Sequence, residues 1–491
     1  MKTVRFIGII ALLAGVTTLS GCGGSSSTPP PPADFTLSVA PQSVSVPIGA
    51  GSGTVQVSVQ PLNGLNQPVS VSLQGLPSGV TTVPASPFSV SQGMPQTVTV
   101  SAARGVSPGT PTISVEANSG TLSHSGSFSI SVAAAAVYTY IAGNGVMPNP
   151  SGIAGYAVDP SNGAVTTVAG SPFNLTTDPV TDMVVASEST GTYLYAVTAG
   201  SAVTLLGFRI NPVNGVLSPI QTINYPAGSG EPRLAVQPLG KFLYAAQVSN
   251  CVVAYSIDPA TGNLTQASCS AQNPNGPLVV APSGKFVYGG DSNSNSVPIL
   301  LTAYSVNQSD GSLTSFQSVV TDNANSLLYT DPQGHALYNL TTGVGLACGD
   351  LSIWGIDATS GRLSSLNPAA GEPCTPWSMS FDPGSQFVCL TINIYRSYDG
   401  VYGAVVDPTT GNLTYVTGPA PGSNPRAAVV EPSQGRFLFV NNPVASFPPG
   451  GAAIVTYAID ATTGALSMVS GPGASAPFSY PVRMVIVAAT H

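Results

Sequence analysis

Two arginines follow a proline at the entrance to apolar runs, in Glu231-Pro232-Arg233 and Asn424-Pro425-Arg426. A guanidinium presents a planar fork of donors that suits a carboxylate, vicinal hydroxyls or a developing oxyanion. Glu231, Asp291 and Glu372 are the carboxylates considered for acid–base work, and each would need burial to bring its pKa toward neutrality. Tyr395, Arg396 and Asp399 share one loop, and Trp377 follows Thr375-Pro376, a grouping able to grip a sugar or an aromatic ring. Each has a plainer role. Arg233 and Arg426 would pair with neighbouring loops. Glu231 and Glu372 would be exposed loop carboxylates. Asp291 would cap the Ser/Asn-rich loop after it, and the loop 395–399 would only cover the site. Histidine, the usual base near pH 7, occurs three times, as His124, His335 and His491. None is expected beside these arginines.

The elements that must position these residues are repeats. Ala254-Tyr255-Ser256-Ile257 ends a strand, Asp258-Pro259-Ala260-Thr261-Gly262 forms a turn and Asn263-Leu264-Thr265 starts the return strand. The same hairpin recurs seven times, its polar turn residue being Asp159, Asn211, Asp258, Asn307, Asp357, Asp407 and Asp460, at spacings of 47 to 53 residues. A β-rich repeat of this length predicts propeller blades. A second turn, such as Pro238-Leu239-Gly240-Lys241 before Phe242 or Pro282-Ser283-Gly284-Lys285 before Phe286, precedes each hairpin but the first. One blade therefore runs as strand A (233–236), strand B (242–246), strand C (252–257) and strand D (264–268). The first hairpin has only a B-like strand before it, and an unused apolar strand, 483–488, follows the last. The C-terminus should complete the first blade and leave no open edge.

This pattern resembles the seven-bladed propeller lactonases, the bacterial 6-phosphogluconolactonase and fungal carboxy-muconate cyclase type, over residues 137–490. The resemblance implies a ligand site at the funnel mouth formed by the top loops and the starts of the A strands. In that family a Pro-Arg(-His) element opens some A strands and an Asp ends a B strand. Arg233, Arg426 and Asp291 match those positions, whereas Leu234 and Ala427 stand where a His would follow Arg.

The N-terminal third differs. Lys2 and Arg5 precede an apolar core, 6–16, and residues 1–21 read as a signal peptide. Leu19-Ser20-Gly21-Cys22 resembles the bacterial lipobox, which implies lipidation of Cys22 and anchoring to the cell envelope, at the outer membrane or cell surface. Residues 22–34 form a Gly/Ser/Pro tether. Residues 35–132 alternate apolar and polar over about seven short strands, predicting an Ig-like β-sandwich. The fold class is thus all-β, a sandwich followed by a propeller.

Cys251 and Cys269 flank one hairpin, and Cys348 and Cys374 flank another, so both pairs are expected as disulfides. Cys389 lies within a B strand, as a buried thiol. No Cys or His group has zinc-site spacing, and neither metal nor cofactor is expected. With 7% charged residues, 12 Lys+Arg and a net charge of −8, the chain lacks the basic stripe of a nucleic-acid surface. Three functions fit. The first is binding of a small or polymeric, anionic or saccharide ligand. The second is divergent lactone or ester hydrolysis, and the third is scaffolding of an envelope protein partner. The missing histidines favour binding.

Overall fold

The computed structural model describes residues 31–489 except 49–51, 104–105, 107, 135, 145–150, 174–177, 189, 201, 227–231, 239, 249–250, 271–275, 292–298, 322–324, 342–350, 367–376, 393–399, 417–424, 443–452, 470–473 and 475–479. All regular elements among the described residues are strands.

Nine strands, from Asp34–Ala40 to Leu122–Ala134, make the N-terminal unit. Strict alternation fixes their faces: Ser43–Ile48 buries Val44, Val46 and Ile48 and exposes Ser43 and Ser45. That strand runs parallel to Leu122–Ala134, whereas Asp34–Ala40 pairs antiparallel with Ser52–Leu62. The buried residues of all nine strands form one core, including Val57, Val71, Val100, Val115, Phe128 and Ile130.

Seven four-stranded sheets follow. Blade three is typical, with strands Leu234–Val236, Phe242–Val248, Cys251–Ile257 and Leu264–Ser270 hydrogen-bonded in that order. The C-terminal strand Tyr480–Ala488 pairs antiparallel with Val137–Asn144 and becomes the inner strand of blade one. The ring closes as the repeat count requires.

Turn chemistry explains the recurring hairpin. Asp258 Oδ1 accepts the backbone N–H of Ala260 (3.0 Å) and Thr261 (2.8 Å), and the Gly262 N–H returns to the Asp258 carbonyl at 2.8 Å. Only an acceptor is needed, so Asn211 serves equally through the Val213 N–H at 2.9 Å. Gly262 is required twice over. Its φ is +74°, and an added Cβ would lie 2.3 Å from the Tyr193 ring of blade two.

That contact belongs to a seam repeated around the ring. In six of the seven blades an aromatic at the start of the B strand lies beneath the hairpin glycine of the next blade, as Phe286 does under Gly361 and Phe437 under Gly163, and in blade five Ala336 takes this place under Gly411. Two residues on, a buried tyrosine donates its O–H to that glycine's carbonyl. Tyr140 bonds Gly215 (2.7 Å), Tyr195 bonds Gly262 (2.6 Å), Tyr288 bonds Gly361 (3.0 Å) and Tyr338 bonds Gly411 (2.9 Å). Blade six has Cys389 in this slot, a buried free thiol whose pKa burial pushes up. Its seam with blade seven therefore lacks the tyrosine hydroxyl bond of these four seams, as does the seam of blade seven with blade one, where Phe439 takes the slot.

Cys251 and Cys269 are joined, with Cα atoms 5.8 Å apart across the C–D pair of blade three. Cys22, Cys348 and Cys374 lie outside the described residues.

Candidate ligand site in the axial channel

The inner strands face a shared axis. A cavity of about 430 Å³ opens among the inner strands of blades one, two, three, five, six and seven. Its apolar wall includes Met183, Met379 and Met484. Trp377 and Arg426 stand at its blade six and seven side. The Arg426 guanidinium carbon lies 5.1 Å from the centre of the Trp377 ring, a cation–π distance. Local structure sets both. Trp377 donates its N–H to the Thr391 carbonyl at 2.7 Å just before the strand Ser378–Phe381. Arg426, fixed behind buried Pro425, directly precedes Ala427–Val430. Trp377 remains 44% exposed, so much of its indole is available.

Arg233 does not join this pair directly. It borders a smaller pocket of about 20 Å³ with Asp182 and Arg483, and Arg483 and Leu327 line both spaces. Asp291 follows the strand Phe286–Gly290, and its backbone carbonyl accepts the N–H of Asn325 at 2.9 Å. Its neighbour Gly290 bonds Pro277, which borders the Arg233 pocket. Asp291 is thus placed at the rim rather than among the cavity walls. Glu231, Glu372, Tyr395, Arg396 and Asp399 lie outside the described residues.

Three polar residues of the channel, Asp182, Arg483 and Tyr329, were not singled out by sequence reasoning. Asp182 is buried at the start of the inner strand of blade two, where the register with Gly191–Ala199 shifts. Its Oδ1 lies 3.2 Å from Arg483 Nε and accepts the Met183 N–H at 2.8 Å, while Oδ2 accepts the Leu234 N–H at 2.9 Å. One carboxylate thereby ties together the inner strands of blades one, two and three. The Asp182 charge raises the Arg483 pKa further, so that guanidinium is permanently cationic. Tyr329 lines the same cavity, and burial raises its pKa, keeping the hydroxyl protonated. The available signal was a charged residue interrupting an apolar inner strand, as in Thr181-Asp182-Met183 and Arg483-Met484-Val485.

The histidines are elsewhere among the described residues. His124 pairs with Asp34 at 2.7 Å in the N-terminal unit. His335 lies 3.8 Å from Asp331 and lines a separate cavity with Asp407, at the opposite ends of the strands. Around the two channel spaces the described charged residues are three arginines, 233, 426 and 483, against the single carboxylate of Asp182.

Residues 153–281 match the family model described as lactonase, 7-bladed beta-propeller. No curated protein matches the chain. Among solved structures, a putative 6-phosphogluconolactonase from Bacteroides uniformis aligns with TM-score 0.55 at 16% identity, covering 72% of this chain and 99% of its own. A second from Bacteroides fragilis gives TM-score 0.56 at 16% identity, with 72% and 98% covered. The periplasmic gluconolactonase of Pseudomonas aeruginosa gives 0.53 at 17% identity, with 72% and 99% covered. These likenesses concern the fold, while the family match runs from the first blade into the fourth. The ring is a seven-bladed β-propeller, and its residues 153–281 are similar to the lactonase family of such propellers.

Proposed function

We propose that the axial channel binds a small ligand carrying both a carboxylate and hydroxyl groups. The observation that carries this reading is the lining of two adjoining spaces by three arginines and a single described carboxylate, in a chain with only 12 Lys+Arg and a net charge of −8. Such a pocket attracts anions against the field of the whole molecule. The Trp377 face offers a flat surface for the C–H side of a sugar ring, and the arginine forks suit the carboxylate and vicinal oxygens.

The chain has two tryptophans, so a Trp354→Phe background leaves Trp377 as sole reporter. Titration with D-glucuronate should quench it saturably. Arg233→Ala with Arg426→Ala should weaken binding at least tenfold, with the melting temperature within a few degrees of the parent. Unchanged fluorescence in the parent at millimolar glucuronate would remove this reading.

A second reading, lactone hydrolysis, is favoured by the family match over 153–281 and by the names of the structural neighbours. It requires a base. Asp182 already accepts two amide protons and faces Arg483, which leaves it poorly suited. Glu231, Glu372 or Asp291 would have to serve. Turnover of D-glucono-δ-lactone above background that stops in Glu231→Gln or Asp291→Asn would replace the binding reading.

The ring is read as an exported, lipid-anchored envelope protein, with the nine-stranded unit as an Ig-like spacer. A fatty-acid analogue fed to cells should label the parent protein and leave Cys22→Ala unlabelled. Equal labelling of both would refute the anchor.

A further inference from the structure

Arg483 is the charged side chain that the ring-closing strand brings to the channel. Its Nε faces Asp182, whose two oxygens are also held by the Met183 and Leu234 amides. Both carboxylate oxygens are therefore engaged, and the guanidinium contacts Asp182 through its Nε. No hydrogen bond from the two terminal amines of Arg483 is found among the described residues, although arginine carries five N–H donors. The side chain is 34% exposed, and it borders both the main cavity and the pocket toward Arg233. Tyr329, close enough to feel the Arg483 charge, offers a protonated hydroxyl on the same wall.

We propose that Arg483 is the anion anchor of the channel: its terminal amines hold the ligand carboxylate, the ligand body lies toward Trp377, and occupancy holds the closing strand in place. This rests on the binding reading above and adds a residue and a consequence to it. The consequence follows from linkage. A ligand held by Arg483 binds the closed ring and not a ring whose strand Tyr480–Ala488 has peeled away. Ligand at about 100 times its Kd should therefore lower the open fraction about 100-fold. A neutral ligand of the same shape lacks the group that Arg483 grips and should do far less.

The test is amide hydrogen exchange of the closing strand in the full chain, with D-glucuronate or with neutral D-glucuronamide, alongside Trp377 quenching. Glucuronate should slow exchange across 482–488 by about 100-fold at saturation, glucuronamide should leave it nearly unchanged, and the outer strand Leu466–Met468 should respond to neither. Arg483→Gln should abolish glucuronate protection, and Arg483→Lys should keep part of it. Equal protection by the acid and the amide would overturn the proposal. So would full-affinity quenching of Trp377 in Arg483→Gln, which would leave the Trp377–Arg426 reading standing. If glucuronate neither quenches nor protects the parent protein, both readings fall together. Should Arg483→Gln fail to fold, the comparison of acid and amide in the parent decides alone.

Discussion

Deleting residues 480–491 should abolish cooperative folding of the ring. The strand Tyr480–Ala488 supplies the backbone partners of Val137–Asn144 from end to end. Without it, blade one would present a raw sheet edge to the channel and a second unpaired surface to blade seven. Met484 and Val487 are buried, and each contributes about 1.5–3 kcal/mol by leaving water. The Ala489 N–H also bonds the Ala136 carbonyl at 2.8 Å, fastening the two ends of the propeller sequence. Against a total stability of roughly 5–15 kcal/mol for a typical domain, these losses are decisive. The truncated protein should be recovered as aggregate or without a cooperative thermal transition, while residues 31–134 keep their own core. A truncated ring that melts at the parent temperature would show that closure contributes nothing.

Removing the Asp182 carboxylate should be the most damaging single substitution in the channel. Asp182→Ala strands the Leu234 and Met183 amides and leaves Arg483 without its counter-charge. Breaking one side of a fully buried charge pair costs about 3–5 kcal/mol, because the partner stays behind uncompensated, and the 34% exposure of Arg483 places the loss toward the lower end of that range. Asp182→Asn should recover part of this loss, since its carbonyl can still accept an amide proton. The double replacement Asp182→Leu with Arg483→Met should be less harmful than Asp182→Leu alone, as no lone charge remains. Chemical denaturation of the parent, Asp182→Leu, Arg483→Met and the double variant gives the coupling directly. Independent, additive effects of the two double-variant substitutions would mean that the pair is incidental.

The ring was legible in the sequence because its signals are local. Asp258, Pro259 and Gly262 specify a turn within five residues, and repetition at a near-constant interval specifies how many turns there are. The unused strand at 483–488 then had one place to go, and pairing with Val137–Asn144 is where it is found. The Cys251–Cys269 bridge was legible for the same reason, both cysteines belonging to one hairpin. The site was less so. Trp377 and Arg426 were named separately from their strand starts, but their stacking depends on the packing of blade six against blade seven. Asp182 and Arg483 meet only because the ring closes, bringing opposite ends of the propeller sequence together. No spacing rule encodes such a pair. The tyrosine seams were hidden likewise, since Tyr195 and Gly262 belong to different repeats. Seen from one blade, each is only a buried aromatic or a turn residue.

Those seams give the ring a sense of rotation. Each blade reaches forward to the hairpin glycine of the next, mostly with aromatics, as Tyr193 and Tyr195 reach Gly262 and Phe387 reaches Gly464, and in blade five with Ala336 and Tyr338 at Gly411. Damage is consequently displaced. A bulky residue at a hairpin glycine collides with the blade behind it, and the turn that carries the lesion registers it only through its strained φ. A substitution in one blade is thus tolerated or refused by its upstream neighbour, so the joints between repeats carry constraints that no single repeat shows by itself.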